Sequence, residues 1–296
     1  MSEKFRIVEV GPRDGLQNEA KPVPLEIKKE FIRRLLKAGV REFEAGAFVR
    51  PDKIPQMADS EKVLDGVSLN GAAAYFLVPN EKGLERALAS GVSAIALFTG
   101  ASETFVQKNI GMSIDQSLKV FKDVAKKAHA AKIKVRGYLS VVWGCPYEGA
   151  VKIETVKRVA NALLEMGCFE VSLGDTIGVA TPKTVEKVLR QLTKVPKKKL
   201  ALHFHDTRGL AVANVLQAVQ MGYRSFDSSA GGLGGCPYAP GAAGNVATEE
   251  LVLLAESLGF KTGLDALAVA HASRLIIDFL GRPPRSKAYQ ALLARG

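Results

Sequence analysis

Two histidines one residue apart, His203 and His205, close the apolar run in LALHFHD at residues 200–206. On a β-strand alternate side chains share a face, so both imidazoles point one way while Leu202 and Phe204 point the other. Two neutral imidazoles on one face can share a metal ion, although two hydrogen-bonded histidines in a packed strand are the bland alternative. A second polar strand end favours the metal: Arg13 and Asp14 follow the run Phe5 to Val10. If both ends open onto one cavity, they form a metal site with a cation beside it. Glu44 lies inside another apolar run, where an unpaired charge is costly, and Arg13 is its expected partner. Ser172 and Asp175 close a further run; for Glu44 and Asp175, helix capping or a buried ion pair is the structural alternative. Cys236 sits within a glycine-rich stretch, AGGLGGCPYAPGAAGN at 230–245, able to bring backbone close to a ligand or to move as a lid. A thiol there reads as reactive, whereas Cys145 and Cys168 read as structural and Trp143 as packing.

The elements that must position these groups recur as apolar runs spaced about 25 to 40 residues apart, most of them followed by an amphipathic helical stretch. The strand candidates are 5–10, 41–47, 72–78, 93–99, 134–142, 169–174, 200–205 and 225–230. Helices show in the spacing of Ile27, Phe31 and Leu35, and in Ser113 followed by Gln116, a capping-box start. Eight such units predict an α/β fold, a (β/α)8 TIM barrel with additional C-terminal helices, Leu264 to Leu280 among them, covering an end or edge. We expect one catalytic domain over 1–296, its C-terminal helical segment beginning near 260. A doubly wound open sheet would carry a Gly-rich first turn that Val10-Gly11-Pro12-Arg13 does not supply. In a barrel, the carboxyl ends of the strands carry the chemistry, which is where the polar residues above fall.

The chain has 296 residues, 47% hydrophobic and 24% charged, enough for a sizeable core and unlike a disordered segment. Its apolar runs are short of a membrane span, and MSEKFRIVEV enters a strand pattern at once, so the expectation is a cytoplasmic protein without membrane contact. Three scattered cysteines make no disulfide framework. The formal charge of +11 raises nucleic acid as a partner, but the basic residues are dispersed, and the run Lys197 to Lys199 reads as a solvated turn. A general positive field also suits a polyanionic small molecule such as an acyl-CoA.

Six stretches together resemble the 3-hydroxy-3-methylglutaryl-CoA lyases, within the metal-dependent barrels that also include the isopropylmalate and homocitrate synthases. They are GPRDGLQNE at 11–19, RGYLS at 136–140, GCPYEG at 144–149, SLGDTIGVATP at 172–182, HFHDTRG at 203–209 and GGLGGCPYAPGAAGNVATEE at 231–250. The resemblance implies cleavage of 3-hydroxy-3-methylglutaryl-CoA to acetyl-CoA and acetoacetate by a homo-oligomer, dimer or higher. It implies a divalent cation, Mg2+ or Mn2+, on Asp14, His203, His205 and Asn245. Arg13 would act on the reacting thioester, with Glu44 orienting it; Gln17, Ser172 and Asp175 would contact substrate or the metal's surroundings; Cys236 would serve as acid or base. The hydroxyl proton would pass to Asp14, His203 or Cys236.

The chain departs from the family pattern around its second strand. Where the family commonly reads Glu-x-x-Ser-Phe-Val-Ser-Pro, it has Ala47 and Arg50, and a basic residue expected after Glu19 is Ala20, with Lys21 one place later. These changes bear on acyl specificity, so a related 3-hydroxy-3-alkylglutaryl-CoA is an alternative substrate. A Claisen-type synthase joining an acyl-CoA to a 2-oxo acid would share Arg13, Asp14, His203 and His205, but Cys236 argues against it. A non-catalytic basic barrel would bind without a metal and with steep salt dependence.

Overall fold

Eight strands, all parallel, close on themselves in sequence order: β1 (Arg6–Glu9), β2 (Glu42–Ala47), β3 (Ala73–Leu77), β4 (Ala94–Gly100), β5 (Lys134–Ser140), β6 (Val171–Asp175), β7 (Leu200–Phe204) and β8 (Ser225–Ser228). This computed structural model describes residues 4–235 and 244–294. The helices are α1 (Leu25–Lys37), α2 (Glu81–Ala89), α3 (Glu103–Ile110), α4 (Ile114–Ala130), α5 (Ile153–Glu165), α6 (Pro182–Leu189), α7 (Ala211–Gln220), α8 (Thr248–Ser257), α9 (Ala266–Leu280) and α10 (Lys287–Leu293). The expected (β/α)8 barrel is therefore present, with α9 packed on α1 and α8 and itself carrying α10. Among the described residues no helix is long and apolar enough to cross a membrane.

Local chemistry accounts for the elements. The Ser113 hydroxyl accepts the Gln116 N–H while the Gln116 side chain accepts the Ser113 N–H, the reciprocal cap read from the sequence. Helix α4 then buries Ile114, Phe121, Val124 and Ala128 on one face. These side chains meet the outward faces of the strands, and each large one stabilises the fold by about 1.5–3 kcal/mol. Strand β5 stops at Ser140, two residues short of the expected 142, because Val141 has φ +56°. A β-branched residue in that region is strained, and it lies at the carboxyl end of the barrel, where its N–H is held by the Thr176 hydroxyl at 2.9 Å.

Barrel interiors are commonly filled by branched apolar side chains. Here Val8, Val10, Tyr75 and Ala94 form a small apolar cluster. Beside it lies an ionic network. Arg136, fully buried, donates to Glu170 at 2.9 Å, to Asp227 at 2.7 Å and to the Tyr138 hydroxyl. Nearer the amino-terminal rim, Arg6 donates to Glu42, Glu170 and the Ser225 hydroxyl.

Candidate active site

The turn after β1 is a single helical one, Gly11–Gly15, closed by Gly15 N–H to the Val10 carbonyl at 3.1 Å. Its glycines are set by packing. A Cβ on Gly11 would sit 2.6 Å from Glu9 Oε1, and one on Gly15 would sit 2.7 Å from the Ser229 hydroxyl. The turn delivers Arg13 and Asp14 to the barrel mouth. Arg13 is buried, and its Nε donates to Glu44 Oε2 at 2.8 Å while Nη1 donates to Asp14 Oδ1 at 2.8 Å and to Gln17 Oε1 at 3.4 Å. The expected Arg13–Glu44 pair is formed.

Across the barrel, β7 places His203 and His205 on its inner face with their Nε2 atoms 3.1 Å apart. One ring nitrogen of each histidine and one Asp14 carboxylate oxygen lie within 4.8 Å of one another. Asn245 is bridged to His205, and its Nδ2 donates to Asp14 Oδ2 at 2.9 Å and to the Leu233 carbonyl at 3.3 Å. The stem that brings Asn245 here needs glycines. A Cβ on Gly244 would meet the Gly234 carbonyl carbon at 2.5 Å, and Gly234 itself has φ +123°.

Burial alone would raise the Asp14 carboxyl, but Arg13 and the two imidazoles outweigh it and hold the group at about 2. His205 is pushed down to about 3, by burial first and then by His203. Burial also opposes charge on His203, yet Asp227 and Asp14 prevail and raise it. The cause is geometric: His203 Nδ1 stands 3.3 Å from Asp227 Oδ2. Asp227, held ionised by Arg136 against its burial, favours the tautomer that leaves His203 Nε2 as a lone pair.

This donor set fits a divalent cation. Two ring nitrogens face each other across 3.1 Å, a spacing suited to neighbouring ligands of one ion with bonds of about 2.1 Å. An ionised carboxylate lies beside them, and the buried Asn245 Oδ1 has no hydrogen-bond partner. Nitrogen and oxygen donors together suit several divalent metals and do not select one.

Arg13, Asp14, Gln17, Ser172, His203 and His205 line one cavity of about 970 Å3. Ser172 also donates to Asp227 Oδ2 at 2.6 Å, so it steadies the carboxylate behind His203. Glu44 and Asn245 stand behind Arg13 and Asp14. Asp175 is not brought to the cavity wall: its two oxygens accept the N–H groups of Val179 and Ala180 at 3.0 and 3.1 Å, and burial raises it to about 6. These N–H groups precede α6, whose own cap is Thr181, so the contact is neither a helix cap nor an ion pair. Cys236 lies outside the described residues. Cys145 receives N–H groups from Tyr147 and Glu148 within its own turn, and Trp143 packs on Phe204 with ring centroids 5.2 Å apart. Ala47 is buried with its N–H on the Ser60 hydroxyl, while Arg50 stays exposed at the cavity mouth, paired with Asp52.

Sequence reasoning missed Asp227, Arg136 and Tyr138. Asp227 had the signal that exposed Glu44, a lone charge in a strand, but its partner Arg136 is 91 residues away. Tyr138 carries Arg13 over its ring, with 5.9 Å from guanidinium carbon to centroid.

A family model described as HMGL-like matches residues 4–276. A hydroxymethylglutaryl-CoA lyase from Pseudomonas mevalonii is 49% identical, over 99% of this chain and 98% of that protein. A 3-hydroxy-3-isohexenylglutaryl-CoA/hydroxy-methylglutaryl-CoA lyase from Pseudomonas aeruginosa is 46% identical, over 100% and 99% respectively. The crystal structure of a hydroxymethylglutaryl-CoA lyase from Pseudomonas aeruginosa superposes with a TM-score of 0.97 at 46% identity, covering 100% of this chain and 99% of the other.

Proposed function

The chain belongs to the HMGL-like family, and from that premise we infer that it is a carbon–carbon lyase cleaving 3-hydroxy-3-methylglutaryl-CoA to acetyl-CoA and acetoacetate. The observation that carries the reading is the meeting of Asp14, His203 and His205 within 4.8 Å, beside the Arg13 guanidinium and open to a cavity. The family is divalent-metal dependent, and we propose Mg2+ or Mn2+ held by Asp14, His203, His205 and Asn245. When bound, such an ion lowers the pKa of the substrate's tertiary hydroxyl and neutralises its carboxylate, worth several kcal/mol.

The remaining work falls to the chain. The hydroxyl proton passes to Asp14, His203 or Cys236 as the C2–C3 bond breaks, C3 becoming the ketone of acetoacetate and C2 the nucleophilic carbon of a thioester enolate. Arg13, permanently charged and fixed by Glu44 and Asp14, offers its N–H groups to the enolate oxygen where negative charge develops. Gln17 beside Arg13 and Ser172 on the cavity wall orient substrate. Protonation of C2, assigned to Cys236, releases acetyl-CoA; positioned proton transfers of this kind contribute roughly 100- to 10,000-fold. Lys53 and Lys82, exposed on the cavity wall, supply positive potential for the phosphates of coenzyme A.

A second reading is supported by the side of the cavity under the β2–β4 loops, where Phe48, Leu77, Phe98, Phe105 and Ile110 present apolar surface. A larger apolar C3 substituent would be compatible with that lining. The test is acetyl-CoA release from a series of 3-hydroxy-3-alkylglutaryl-CoA substrates, with Mg2+ or Mn2+ and after chelation. Metal-dependent release from the methyl compound is expected. Absence of release from every member would end the lyase reading, and release only from longer members would favour the second.

A further inference from the structure

We propose that Glu9 is a positioning residue for the cation site, aligning Asp14 and Asn245 by tying together the three chain segments that carry and flank them. The proposal rests on the lyase reading and adds a residue the mechanism does not use. Glu9 ends β1 on its outer face, away from the cavity, and is fully buried. Its Oε1 accepts the Gly11 N–H at 2.7 Å and the Ala230 N–H at 3.0 Å, while Oε2 accepts the Thr248 hydroxyl at 2.6 Å.

Each contact leads to the site. Gly11 opens the turn bearing Arg13 and Asp14. Ala230 opens the stem whose Leu233 carbonyl holds the Asn245 amide. Thr248 begins α8, three residues after Asn245, and is also bonded to the β8 hydroxyl of Ser228 at 2.8 Å. Asp14 and Asn245 then meet each other at 2.9 Å. One carboxylate thus fixes both ends of that contact. The missing Cβ of Gly11 is the counterpart of the same arrangement, since any other residue would collide with Glu9 Oε1.

All three donors to Glu9 are neutral. A carboxylate buried without a cation costs stability relative to an apolar side chain, and burial pushes Glu9 up to about 7. Placing such a group where three segments join is better explained by alignment than by fold maintenance. Glu249 supports the stem from the other side, accepting the Gly231 N–H at 2.8 Å and the Ser273 hydroxyl of α9 at 3.1 Å.

The test measures Mn2+ affinity by electron paramagnetic resonance on folded full-length chains, with kcat and thermal unfolding alongside. Glu9→Ala should weaken Mn2+ binding at least about tenfold, the size of effect seen when groups orienting metal ligands are removed. Thr248→Val, which cuts the α8 arm together with the Ser228 contact, should weaken it by about threefold or more. Glu9→Gln keeps the acceptor toward Gly11 and Ala230 and can donate to Thr248, so it should stay within about threefold of wild type. A purely structural Glu9 would lower the unfolding temperature and leave the affinity of the folded protein unchanged. Unchanged affinity in Glu9→Ala, or in Thr248→Val should the first not fold, overturns the proposal alone; a wild-type chain that binds no Mn2+ overturns the lyase reading with it.

Discussion

The two ends of this barrel bury charge in different ways. At the amino-terminal base, Glu42 and Glu170 spend their oxygens on Arg6, Arg136, Tyr75 and Ser225, and none of these six side chains has a buried polar atom left without a partner. At the mouth, Glu44 Oε1, His205 Nδ1 and Asn245 Oδ1 are buried and unpaired. Orphaned polar atoms of this kind cost about 1–3 kcal/mol each. A saturated network closes the barrel; an unsaturated one awaits something to bind. Substitutions at the two ends should therefore differ in kcat per folded molecule, unchanged at the base and lowered at the mouth.

The largest expected effect is at the mouth. Arg13→Met should lower turnover per folded molecule by about 10³-fold through loss of enolate stabilisation, and because it strands the buried Glu44 it should lower the unfolding temperature as well. Cys236→Ser should cost about 10²-fold in turnover while leaving metal affinity near wild type, and equal activity would remove the thiol from the mechanism. At the base, Arg6→Met strands the buried Glu170 beside one cation fewer. We expect about 3 kcal/mol less stability by urea unfolding, with kcat per folded molecule unchanged. A large kcat loss there would erase the contrast between the two ends.

The smallest effect concerns pH. Glu249 is raised by burial to about 8, above its ordinary 4.5, so the native state holds its proton longer than the unfolded chain does. Its contribution is full below about pH 4.5 and is lost as pH rises through 8. Glu249→Gln should flatten that part of the decline in unfolding midpoint between pH 5 and 8.5. An unchanged slope would show that the carboxyl already ionises freely in the native state.

Much of this was legible in the chain because a strand buried on both faces has to be an apolar run, and a polar residue that interrupts one stands out. All eight runs became strands, with shifts of one or two residues where Val141 adopts a left-handed conformation or the ladder ends early. The same signal exposed Glu44 and its pairing with Arg13. It was equally present at Glu9 and Asp227, but a lone acid does not name its partner. Asp227 meets Arg136 and His203, and Glu9 meets Ala230 and Thr248, through barrel closure rather than through local spacing. Asp175 reads as a site residue because it closes a strand at the correct end, and its carboxylate accepts two N–H groups of the following loop. Arg50, standing where the family commonly has Ser, pairs with Asp52 two residues on at the cavity mouth.

Lyase chemistry here requires Asp14, His203 and His205 to share one ion. Equilibrium titration with Mn2+, following the free-ion resonance, addresses that directly in the wild-type chain and in Asp14→Asn, His203→Ala and His205→Ala. We expect one tight site per wild-type chain, weakened by about 10²-fold or more in each variant, with acetyl-CoA release falling in parallel. A wild-type site that survives all three substitutions, or no site at all, would contradict it.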